Sequence, residues 1–181
     1  GEPAAEHGVV NAFARGRRLY SAAYVIPPPR MGAERKHSNH LRLLRSMMED
    51  DMPTQLQGSP SMQQAFNVIR SYPAMGDFLA FQMLIDLNYT TVLDFDEMDY
   101  VVAGPGARDG IRKCFGAEAR GIESEVIRYV ADSQNEHFER LGLDFVGLGG
   151  RPLQLIDCQN LICEVDKYAR VAHPEVHGLS G

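Results

Sequence analysis

Apolar residues recur at helical spacing through most of the chain. In "SNHLRLLRSMMEDD", Leu41, Leu44, Met47 and Met48 make a stripe behind a candidate N-cap at Ser38 or Asn39. "MPTQLQGSP" reads as a loop. A further helix is predicted from Ser59 or Ser61, with Pro60 near its first turn, through Met62, Ala65, Phe66 and Ile69. After the tight turn "SYPAMG", the segment "DFLAFQMLIDL" is apolar nearly all round, the mark of a central, buried helix. "IRKCFG" reads as a short helix ending at Gly116. The next, with Ile122, Val126, Tyr129, Val130 and Phe138 as its apolar positions, stops at Gly142. No internal repeat and no strand-like alternation of useful length interrupts this series, so the predicted fold class is all-α.

The last helical segment, "LIDCQNLICEVDKYAR", breaks the rule of apolar seams. Asp157, Asn160, Glu164 and Lys167 fall on one face at the spacing usually held by core leucines. Leu161, Val165, Tyr168 and Ala172 form the neighbouring apolar face. Such a polar face is either ordinary solvated surface or the wall of a polar pocket.

Composition narrows the classes. A chain of 181 residues has the size of one domain with a real core. Residues 1–30 read as a basic arm (Arg15, Arg17, Arg18) followed by a linker stiffened by Pro27, Pro28 and Pro29. The net charge of −6 argues against a generic nucleic-acid coat, though not against a local basic groove. No apolar run reaches the roughly 18 residues of a membrane span, and no secretory signal precedes the first helix, so no membrane partner is expected. The opening "GEPAAEHGVV" reads as the middle of a longer chain. Cys114, Cys158 and Cys163 form no CxxC pair, which suits a reducing compartment. His37 and His40 lack the partners of a zinc motif, so no metal ligands are assigned. No G-x-x-x-x-G-K-[ST] occurs, so this is not a P-loop kinase module.

"YPAMGDFLAFQMLIDL" resembles the helix-hairpin-helix of DNA glycosylases, with Pro73, Met75, Gly76 and Ala80 matching and Ala74 standing where a glycine is usual. A hairpin of that kind presents backbone N–H groups to DNA phosphate. In that superfamily an aspartate about twenty residues onward acts on a flipped base, and Asp99 is the best match. The lysine of the bifunctional enzymes would fall near Phe78, so no Schiff-base mechanism is implied.

Taken together, "FLAFQMLIDLNY", "VVAGPGARDGIRKCF" and "LQLIDCQNLICEVDKYARVAHPE" resemble the helical domain attached to 5-hydroxymethyluracil DNA kinases, over roughly residues 19 to 178. That domain is related to the alpha-glutamyl/putrescinyl-thymine pyrophosphorylases of thymidine hypermodification. The resemblance implies a glycosylase-like helical fold acting on 5-hydroxymethyluracil in DNA, or on its phosphorylated form, inside the cell: host cytoplasm for a virus, nucleus for a eukaryote. It also implies a P-loop kinase as partner, on the same or another chain. Relatives tend to carry a further N-terminal portion that is not found before Arg15.

The family's motifs fall on Gln82, Asp86, Asn88 and Tyr89, on Gly104, Pro105, Gly106 and Gly110, and on the polar residues of the last helix. Displacing pyrophosphate from a thymine methylene requires cations or N–H groups for the leaving phosphates, a base, and a polar pocket. Asp157 or Glu164 would be the base or would hold a divalent ion. Lys167, Arg170, Gly104 and Gly106 would meet phosphate. Gln159 and Asn160 have the paired donor and acceptor of a uracil edge, with Asp166 beside them. The expected geometry sets this helix and the Gly-Pro-Gly loop as opposite walls of one pocket. Gly76, Arg108, Arg112 and Lys113 are the expected backbone contacts. Plainer roles stand beside these. Glu164 and Lys167 make an ordinary i,i+3 surface pair, Asp157 caps its helix, and Gln82 and Asp86 bond within the core. A base-modifying transferase or its substrate-binding domain is the first reading. A noncatalytic DNA-binding scaffold is the second, and a glycosylase resting on Asp99 the third.

Overall fold

The structure, a computed structural model, describes residues 4–20 and 26–177. Parts of the expected arm (1–3 and 21–25) and of the C-terminal tail (178–181) lie outside the described residues. The elements in chain order are α1 (Ala4–Ala14), α2 (Lys36–Glu49), α3 (Met52–Gln57), α4 (Met62–Arg70) and α5 (Asp77–Asn88). There follow α6 (Pro105–Phe115), a single 3-10 turn (Ala117–Ala119), α7 (Glu123–Arg140) and α8 (Leu155–Ala172). Among the described residues the fold is all-α, and the only extended pairing is an isolated bridge between Leu148 and Arg151.

The chain divides into two compact units, one of residues 1–60 and 64–93, the other of 61–63 and 94–181. In the first, the buried apolar residues come from α2 (Leu43, Met47), α3 (Met52, Leu56), α4 (Ala65, Phe66, Ile69) and α5 (Ala80, Phe81, Leu84, Ile85). Three local readings need correction. The arm region is helical over Ala4–Ala14. "MPTQLQ" is a helix rather than a loop, because Pro53 suits a first turn and Asp51 takes the left-handed turn that starts it. Helix α2 begins three or four residues earlier than Ser38 or Asn39 as N-cap would place it, with Arg35 at its N-cap. Asn39 lies inside that helix and is buried. Its amide oxygen accepts from the N–H groups of Met31 (3.1 Å) and Ala33 (3.0 Å), and its nitrogen donates to the carbonyls of Ala33 and Arg35.

The turn between α4 and α5 places Ala74 at φ 62°, the left-handed position for which glycine is better suited. Gly76 then N-caps α5, and Asp77 at its first position pairs with Arg70 at 2.5 Å.

In the second unit, α6 and α8 pack at unusually short range. A Cβ on Gly106 would collide with Cys163 Sγ, and one on Gly110 with the Ile162 carbonyl oxygen. The Gly-Pro-Gly string is therefore the start of α6 rather than a loop: Gly104 is its N-cap, Pro105 opens the first turn, and Gly106 and Gly110 form a shallow track for α8. Helix α7 packs on α8, and its buried residues are Ile127, Ala131 and Gln134. The expected stripe there is rotated outward, leaving Ile122 and Tyr129 exposed.

Gly110→Ala tests the close approach. Alanine's helix propensity would gain about 1 kcal/mol, but a backbone carbonyl cannot rotate away as a side chain can. A net loss of about 1–2 kcal/mol is expected from urea denaturation. Ala74→Gly should act oppositely, raising stability by about 0.5–1 kcal/mol through relief of the left-handed strain, offset by the freer unfolded chain.

Candidate functional site on helices α6 and α8

Helix α8 is set in place at its first turn. Gln154 is the N-cap and Asp157 the N3 residue of a capping box, the Gln154 N–H donating to Asp157 Oδ2 at 2.8 Å. The same oxygen accepts from Arg151 Nη1 at 2.6 Å, and Arg151 Nη2 lies 3.9 Å from Glu97 Oε2. One residue before the cap, Leu153 is held on both backbone groups by the buried Gln134 amide, its N–H donating at 2.7 Å and its carbonyl accepting at 3.0 Å. Asp157 is thus engaged in starting the helix. A cap-to-N3 spacing in Q-x-x-D was the signal available for that role; nothing in the spacing marked Arg151, Gln134 or Glu97.

Further along, the buried seam is Leu155, Gln159, Ile162, Asp166 and Ala169. Gln159 is 2% exposed. Its Oε1 accepts the Gly104 N–H at 3.1 Å and its Nε2 donates to Asn160 Oδ1 at 2.7 Å. Lys113 Nζ of α6 meets Asp166 Oδ1 at 2.7 Å, and both side chains are 4% exposed. Arg170 Nη2 reaches the other oxygen at 3.3 Å from the surface. The polar face inferred from periodicity is therefore displaced. Leu161 (46% exposed) and Tyr168 (65%) face solvent, whereas Gln159 and Asp166 point inward. An apolar ranking misses this because each inward polar group has a donor waiting on α6.

Nor do the Gly-Pro-Gly string and α8 form opposite walls of a pocket, since Gly106 and Gly110 bring the two helices into direct contact. The Gly104 N–H that was expected to meet phosphate is bonded to Gln159. Lys113, expected at the surface, is inside. The remaining expected residues of this unit stand outward. Arg108 is exposed with its Nε on the Ala103 carbonyl at 3.1 Å, and Arg112 is half-buried. Asn160 is exposed, and Glu164 and Lys167 pair at the surface. Asp99 is exposed, its carbonyl accepting from Arg128 Nη2 at 3.2 Å.

The other expected residues belong to the first unit. Gly76 caps α5, Asp86 and Tyr89 are exposed, Asn88 is half-buried, and Gln82 is half-buried with its amide nitrogen enclosed without a hydrogen bond. Among the described residues no group of three His, Cys, Asp or Glu could hold the divalent ion that the resemblance allowed, and no helix is long and apolar enough to cross a membrane. All three cysteines are free; Cys158, inside α8, has its thiol pushed up to about 11 by burial, then by Asp157 and Asp132.

The Lys113–Asp166 pair yields a direct test. Lys113→Met leaves Asp166 buried with only the solvent-facing Arg170, and a loss of about 3–5 kcal/mol is expected in urea denaturation. Adding Asp166→Leu should recover most of it, since a well-packed apolar pair replaces a buried ion pair at little cost.

Comparison with known proteins fits this architecture. The model of the 5-hmdU DNA kinase helical domain matches residues 3–178. A 5-hmdU DNA kinase of Bacillus phage SP10 is 24% identical over 169 residues, covering 84% of this chain and 26% of the relative. The chain therefore spans about a quarter of that relative's length. No solved structure matches. On residues 3–178, the chain belongs to the family of 5-hmdU DNA kinase helical domains.

Proposed function

We propose that this chain engages 5-hydroxymethyluracil in DNA on behalf of a 5-hmdU DNA kinase, as a binding module within thymine hypermodification. What carries the reading is the fate of the polar residues of α8. Asp157, Gln159 and Asp166 are engaged in capping, in the α6 contact and in a buried ion pair, and Glu164 and Lys167 neutralise each other at the surface. A transferase needs a catalytic base in a water-excluded pocket, and the engagement of these carboxylates in capping and ion pairs favours the binding reading over it. The family match and the absence of a P-loop signature support a role beside the kinase chemistry.

In this reading Arg108, the half-buried Arg112 and Arg170 contact backbone phosphate, and Lys167 does so by leaving its surface pair with Glu164. Asn160, the exposed amide of α8, would read a base edge with its Nδ2, since its Oδ1 accepts from Gln159 Nε2 at 2.7 Å. Asp99, Gly76, Gln82, Asp86, Asn88 and Tyr89 remain candidate contacts without an assigned step.

Titration of matched oligonucleotides bearing thymine, 5-hydroxymethyluracil or its phosphorylated form, at low and moderate salt, tests the proposal. The expected result is a preference for a modified base of about tenfold or more, about 1.4 kcal/mol, that survives added salt. Lys167→Ala with Arg170→Ala should weaken all three alike and lower the salt slope by about two. Equal, steeply salt-dependent binding of the three oligonucleotides rejects base recognition. DNA of increased mass after incubation would make the chain a transferase, and abasic sites a glycosylase.

A further inference from the structure

We propose that the first unit holds a separate site for a single nucleotide, in a cavity between the end of α1 and the start of α2. The cavity measures about 490 Å³, within the range of small-ligand sites. Its walls are Phe13, Leu19, Tyr20 and His37, and its rim is Arg17, Arg18, Arg35 and Lys36. Among the described residues no carboxylate pairs with any of these four cations. On a chain of net charge −6 they make a local field of opposite sign.

Three further features point to a phosphate with a planar ring attached. First, α2 starts uncapped: the Arg35 side chain makes no capping bond, no acid occupies the first turn, and the first intrahelical N–H bond is that of Asn39. Among the described residues the N–H groups ahead of it, in a helix of 14 residues, have no hydrogen-bond partner and can meet an anion. Second, His37 is 5% exposed and its Nε2 has no hydrogen-bond partner. His37 also lines the cavity, so this enclosed ring nitrogen without a partner lies beside the proposed ligand, whose polar groups are the ones that could satisfy it. Third, the aromatic walls are held in place. The Phe13 ring lies 5.0 Å from that of His37, with the Arg35 guanidinium 4.9 Å above it. Lys36 Nζ stands 4.5 Å over Tyr20. Because the Pro27 carbonyl only accepts, His40 Nε2 carries the proton it donates there at 3.2 Å. His40 Nδ1 then accepts the Tyr20 hydroxyl at 2.9 Å, fixing that ring. Aromatic faces with adjacent cations are the usual means of holding a nucleobase and its phosphate without reading sequence.

The ligand is either a free nucleotide or one nucleotide of a single strand, and the probes separate them. Calorimetric titration would use thymidine 5′-monophosphate, thymidine and a thymidylate tetranucleotide on the full chain. Saturable one-to-one binding of the monophosphate is expected, with thymidine at least about tenfold weaker. Arg17→Ala with Arg18→Ala, and separately His37→Phe, should each weaken it about tenfold. Arg45→Ala, roughly two and a half turns further along α2 than Lys36, should leave it unchanged. The exposed arginine pair decides the matter if His37→Phe fails to fold. Binding of the tetranucleotide alone, with the same sensitivities, also supports the site and assigns it to a strand. No saturable binding of either probe overturns it, as does binding that Arg45→Ala weakens as much as the arginine pair does. These probes lack the modified base and the variants lie in the first unit, so success or failure here is independent of the 5-hydroxymethyluracil titration.

Discussion

The approach of α6 to α8 is the constraint on which the second unit depends. Two glycines a helical turn apart, Gly106 and Gly110, leave no side chain between the backbones, so the helices close until Cys163 and Ile162 touch the α6 surface. At that distance short-range polar contacts become possible. The Gly104 N–H reaches Gln159, and Lys113 reaches Asp166 eleven residues from the start of α8. The glycines set the separation and the polar pairs set the register. An apolar contact alone tolerates sliding by a turn; a buried carboxylate displaced from its ammonium does not.

That arrangement divides the polar residues of α8 between two duties. Those facing α6 are locked into the fold, and the capping box with Arg151 fixes where the helix begins. Those facing away, Asn160, Glu164, Lys167 and Arg170, stand at the surface, Glu164 paired with Lys167 and Arg170 on the outer oxygen of Asp166. A rigid inner seam is what allows an outer face to present its groups at constant spacing. The first unit is built differently. Its buried apolar residues are conventional, and where α1 ends and α2 begins lies a buried histidine nitrogen without a partner among the described residues.

Much of the helical series was legible because periodicity and punctuation agree locally. The apolar run from Phe78 to Leu87, the stop at Gly116 and the turn around Gly142 follow from residue types within a few positions of one another. The family likeness was legible too, since "GPGARDG" and "LIDCQNLICEVDKYAR" are specific as strings. The faces of α7 and α8 were not. Hydrophobic ranking brought Tyr129, Leu161 and Tyr168 inward, whereas the structure buries Gln134, Gln159 and Asp166. The Gly-Pro-Gly string misled in the same way: it resembles a phosphate-binding loop, yet its N–H belongs to a side chain fifty-five residues away.

The sequence by itself determined that the chain is helical, where most helices lie, and which family it joins, because those depend on local propensity and on contiguous motifs. Only the tertiary structure decided which polar residues are locked into the packing and which stand at the surface. A buried polar group is tolerated when its partner is present, and here the partners come from other helices: α6 for Gln159 and Asp166, and for Gln134 the segment leading into α8. No reading of one helix at a time contains that information.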